Sequence, residues 1–87
     1  MQDFCCYFKR MLIRCCDVTD DRRLVMHGGR DKVIRALNLH TYDVVEVNMH
    51  EDICELSFAL GGRKIVARTD MFGSRRLAIF DVHWKNS

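Results

Sequence analysis

The chain has 87 residues, 48% hydrophobic and 30% charged, with a formal net charge of +2. That length holds one modest core, and the composition is that of a globular chain rather than a disordered one. It contains no proline, and no segment approaches the roughly 18–20 apolar residues of a membrane-spanning helix, so a single compact domain over 1–87 is expected.

Taken in order, residues 4–16 (FCCYFKRMLIRCC) carry two periodicities. As a helix they place Phe4, Tyr7, Phe8, Met11, Leu12 and Cys15 on one stripe; as a strand their aromatic and Cys content is favourable. The polar turn Asp17–Asp21 and the short apolar run Arg22–His27 behind it favour the strand, since together they make a hairpin. Gly28-Gly29 then breaks the chain. Arg30–Leu39 is expected to be a helix, with Val33, Ile34 and Leu37 on one face and Asp31 at its positive N-terminus. His40–Asp43 turns into a strand, Val44–Met49, and His50–Asp52 turns again.

The segment Ile53–Thr69 is the clearest in the sequence. Gly61-Gly62 suits the positive φ angles of a two-residue primed turn. That turn sets Phe58 opposite Ile65, Leu56 opposite Ala67 and Cys54 opposite Thr69 on one mostly apolar face. On the other face Ser57 meets Val66 and Glu55 meets Arg68, an opposite-charge pair. A slip of one residue would lose both the face and the pair. Asp70–Arg75 follows as a Gly-containing loop, and Arg76–Trp84 is a last strand with Ala78, Phe80, Val82 and Trp84 on one face. The expected class is therefore α+β: a mostly antiparallel sheet in the order β-β-α-β-β-β-β with one packed helix.

Within this frame Arg35–Val47 resembles the helix–turn–strand unit of the swapped-hairpin bacterial transcription regulators, through Leu37, Leu39, Asp43, Val45 and Val47. Tyr42 stands where that family usually has glycine. The resemblance implies a DNA-binding function.

Several chemistries are weighed against plain structure. The five cysteines (Cys5, Cys6, Cys15, Cys16, Cys54) and four histidines (His27, His40, His50, His83) lack the Cys-x2–4-Cys spacing of zinc sites. Neighbouring cysteines point different ways, so buried, inert thiols, no metal and no cofactor are expected. The odd count and the lack of a secretory signal argue against a disulfide framework and for the cytoplasm. Acylation of Cys5-Cys6 or Cys15-Cys16 on a basic amphipathic helix competes with the same aromatic stripe being core. His83 and Asp81 share a strand face without forming a triad, and His27–Arg30 is a fragment of an anion loop. No enzyme is expected.

The charge is segregated: residues 36–62 hold five acids and no Lys or Arg, and residues 63–87 hold six bases against two acids. Either the two stretches neutralise each other across a sheet or they form charged rims for a partner. Arg63, Lys64, Met71, Phe72, Arg75 and Arg76 are the candidate partner-binding residues, because Met, aromatic and Arg side chains are enriched at interface cores. Phe72 could equally tuck beneath the sheet. The reading is a small regulator or inhibitor acting on another protein, in the style of small phage and mobile-element proteins. A sheet edge is open to extension by a partner or a second copy. The alternative is nucleic-acid binding by the same basic stretch, with Phe72 stacking on a base.

Overall fold

A computed structural model describes residues 13–84 of the chain. Seven strands follow one another: β1 (Ile13–Val18), β2 (Leu24–Gly29), β3 (Val33–Asn38), β4 (Val44–Asn48), β5 (Asp52–Ala59), β6 (Lys64–Met71) and β7 (Ser74–Asp81). They form two antiparallel meanders, β1-β2-β3-β4 and β5-β6-β7. Among the described residues there is no α-helix, so the expected α+β class with one packed helix is corrected to all-β. The portion of the expected first strand before Ile13 lies outside the described residues.

The correction falls on Arg30–Leu39. Val33, Ile34 and Leu37 fit a helical face, but Ile34 and Ala36 are the fully buried pair, and they alternate with half-buried Val33, Arg35 and Leu37. That is the period of a strand. Ten residues are too few to hold a helix without strong packing, while a strand here gains ladders on both sides, with β2 and with β4. Asp31 does bond a backbone N–H, that of Val33 at 3.3 Å, yet it closes a turn rather than capping a helix. Gly28 and Gly29 lie in β2, and the chain turns only after Gly29, whose carbonyl accepts the Lys32 N–H at 3.1 Å. The likeness of Arg35–Val47 to a helix–turn–strand unit falls with the helix, since the segment is strand, turn, strand.

The central hairpin keeps the expected register from Ala59↔Lys64 to Glu55↔Arg68. Gly61 (φ 66°, ψ 26°) and Gly62 (φ 92°) supply the positive angles of the primed turn. A bulge at Cys54 then shifts the ladder, so that Ile53, not Cys54, faces Thr69. The expected loop Asp70–Arg75 shrinks to two residues, Phe72 and Gly73, between Met71↔Ser74.

The sheets meet along β1 and β5, where side chains make the connection. Asp17 Oδ2 accepts the Phe58 N–H at 2.7 Å. The Cys15 thiol donates to Gly28 O at 3.4 Å, with Ile53 O also within reach. The core fills the angle between the sheets with Met26, Ile34 and Ala36 from the first and Ile53, Leu56, Ile65 and Ala67 from the second, closed by Val82. Gly28 allows the approach, because a Cβ there would stand 3.0 Å from Ile53 Cδ1. Among the described strands β4 and β7 are sheet edges.

Adjacent side chains on a strand face opposite ways, which separates Cys15, at the seam, from Cys16. Burial, with a smaller contribution from nearby Cys54, pushes the Cys15 thiol up to about 11, so it stays protonated at neutral pH. Cys15 and Cys54 are free thiols.

His27 is buried on β2. Desolvation lowers its pKa, helped by the Arg35 guanidinium and opposed by Asp31. The unfolded chain therefore binds the proton more readily than the fold. Stability is complete above the ordinary histidine pKa of about 6.5 and is lost as pH falls below it, until the lowered folded value is passed. The melting temperature is expected to drop by a few degrees between pH 7.5 and 5.5, and His27→Gln should flatten that slope. A slope unchanged by the substitution would assign it to other groups.

Candidate functional site

The meander places alternate turns at opposite ends. At one end lie the turns after β1, β3 and β5 together with Val82–Trp84. Thr19, Asp21 and Asn38 hold these turns through side-chain to backbone bonds: Thr19 Oγ1 receives the Leu24 N–H, Asp21 the Arg23 N–H, and Asn38 the N–H groups of His40 and Thr41. Hydrogen bonding from the Thr19 hydroxyl, then from the Arg23 N–H, holds the Asp21 carboxyl below its usual range. An open cleft of about 600 Å³ lies here, with Leu24, Gly62, Arg63, Val82 and Trp84 in its lining. The Trp84 indole donates to Gly62 O at 3.3 Å.

At the other end lies the β6–β7 tip. Phe72 is 99% exposed, so it does not tuck beneath the sheet. It sits at φ 51°, followed by Gly73 at φ 81°, a primed two-residue turn. Left-handed backbone is costly for a bulky residue, and no burial of the ring offsets it here. Met71 is also exposed beside it.

The candidate residues are thus divided. Met71, Phe72, Arg75 and Arg76 share the tip, while Arg63 and Lys64 stand at the far end of β6, about 24 Å away along the strand. The single basic face expected over 63–76 does not form. Several of its charges are also matched. Lys64 bonds Asp81 at 2.5 Å and holds that carboxyl below its usual range. Arg68 bonds Glu55 at 2.8 Å, as the sequence pairing predicts. Arg76 lies 3.3 Å from Glu51, whose other oxygen accepts the Thr69 hydroxyl at 2.6 Å. Among the described residues Arg63 and Arg75 make no ion pair.

Arg14 lies outside the candidates expected from the sequence. It reaches from β1 to a small cleft of about 280 Å³ shared with Cys54, Arg68, Asp70 and Arg75. The signal was there only as a strand neighbour of Cys15. The convergence depends on the β1–β5 seam, which no local pattern announces. Among the described residues no group of three or more His, Cys, Asp or Glu is arranged to hold a metal ion, and no helix is long and apolar enough to cross a membrane. No protein-family model matches the sequence, and no curated protein matches it.

Proposed function

We propose that the protein is a non-enzymatic binding module, a regulator or inhibitor, that engages another protein through the β6–β7 tip. The observation that carries this is Phe72: a large aromatic side chain, almost fully exposed, held in a backbone conformation that disfavours it. Exposed Met71 and Arg75, which makes no ion pair among the described residues, complete a small surface of the residue types that anchor protein interfaces. Pairing of Lys64, Arg68 and Arg76 with acids leaves less positive charge for phosphate contacts, which favours a protein over a nucleic acid.

Phe72→Asn tests the reading. Asn-Gly is the preferred pair for this turn, so the variant is expected to be more stable by about 0.5–1 kcal/mol, a rise of about 2–6 °C in melting temperature. It should also lose the partner. Affinity capture from cells, comparing wild type with Phe72→Asn, checks both. Proteins retained equally by the variant would remove the tip from the interface. A raised 260/280 nm absorbance ratio that falls in high salt would transfer the function to nucleic-acid binding.

A further inference from the structure

We infer that the chain associates with a second copy of itself through β7, in antiparallel pairing about a two-fold axis at Ala78, so that two three-stranded sheets become one of six. This rests on the edge of the second sheet and is independent of the Phe72 tip.

The backbone fixes which groups are available. The Val82 N–H donates to Arg63 O at 2.9 Å, and the β6–β7 ladder runs without a shift from Lys64↔Asp81 to Met71↔Ser74. Main-chain groups alternate sides along a strand. Phe80, Ala78 and Arg76 therefore turn theirs toward β6, and Asp81, Ile79, Leu77 and Arg75 turn theirs outward, to an edge that no other described strand pairs. A two-fold axis at Ala78 sets those outward residues against one another: Arg75 opposite Asp81 of the second copy, and Leu77 opposite Ile79. Each is a hydrogen-bonded pair, giving about eight new backbone bonds.

The side chains agree with that register. Leu77 and Ile79 are 66% and 60% exposed on the outer face. Pairing brings Leu77 beside Ile79 of the second copy, with that copy's Val66 next in line on its β6, a row of three apolar residues that ends at Arg68 across from Leu77. One step along, the row across four strands reads Asp70, Arg75, then Asp81 and Lys64 of the second copy, alternating in sign throughout. Opposite charges directly across strands stabilise a sheet, and like charges oppose it. A long edge exposing Leu77 and Ile79 without a bulge or proline is one that a partner strand completes. The other edge is less suited. Asn38 N bonds Asp43 O, so β4 turns the groups of Val44, Glu46 and Asn48 outward. Self-pairing centred on that five-residue strand would oppose Glu46 to its own copy.

Light scattering and sedimentation of the full chain, from micromolar to submillimolar concentration, test this. The wild type is expected to reach the dimer mass. Leu77→Lys, at an exposed position, should keep its melting profile as a monomer and return the monomer mass. Arg75→Asp should weaken the dimer by about tenfold or more, because it sets a carboxylate opposite Asp81 of the second copy, and adding Asp81→Arg should recover part of the loss. A wild type that stays monomeric throughout overturns the inference, as does a dimer indifferent to both Leu77→Lys and Arg75→Asp. Phe72→Asn should leave the dimer intact, so loss of the tip function and loss of the dimer are separable.

Discussion

Gly62→Val is expected to lower stability by about 3–5 kcal/mol, the largest effect of any single change considered. Two penalties coincide at this residue. Its φ of 92° is a left-handed conformation that a β-branched side chain resists. Its Cα also faces the core: a Cβ would lie 2.1 Å from Leu24 Cδ1, and Leu24 is itself buried, so the leucine can move only by disturbing its neighbours. Gly61 separates the two. It carries φ 66° with nothing within 4 Å of an added Cβ, so Gly61→Ala is expected to show the backbone penalty alone, about 1 kcal/mol. Chemical denaturation of both variants measures the difference. Equal losses at the two positions would mean that Leu24 does not press on the turn. The Trp84 indole bonded to Gly62 O should lose its fixed environment in Gly62→Val, which its fluorescence would report.

That turn was legible because its chemistry is local. Two adjacent glycines, flanked by alternating apolar residues and a Glu55–Arg68 pair, admit one register, and the ladder follows it up to the bulge at Cys54. The misreading of β3 has a local cause too. Asp31 bonding a nearby N–H looks the same in sequence whether a helix or a strand follows, and Val33, Ile34 and Leu37 satisfy both periods. The ladders with β2 and β4 decide the matter, and they are tertiary. The turns carry a further lesson. Arg22, Lys32, Tyr42, His50, Leu60 and Phe72 all adopt positive φ, and at the first four no glycine follows to mark the turn in the sequence. Asn38, Asn48, Asp21 and Asp31 announce four of these turns through their side-chain bonds to nearby N–H groups.

The candidate surface divides along the same line. Met71, Phe72 and Arg75 stay together because a two-residue tip keeps sequence neighbours side by side. Arg63 and Lys64 were joined to them by sequence proximity that an eight-residue strand then stretches apart. Arg14 comes near Arg75 only across the seam. What no segment of the sequence shows by itself is how the two meanders are joined.

That junction makes Asp17→Ala the second large effect, with an expected loss of about 2–3 kcal/mol. Asp17 stands on β1 beside Val18, and its carboxylate takes the Phe58 N–H at 2.7 Å across the junction. Among the described residues no backbone ladder links β1 to β5, so this bond does locally what a ladder would do. Alanine leaves a partly buried N–H without its acceptor, whereas Asp17→Asn keeps an acceptor oxygen and should lose distinctly less. If the junction is the weak line of the fold, amide exchange at Phe58 should quicken in Asp17→Ala while Ile65, its partner on β6, stays protected by its own ladder. Uniform quickening in both sheets would instead mean that the two meanders open together, and that Asp17 contributes to one cooperative unit rather than to a separable seam.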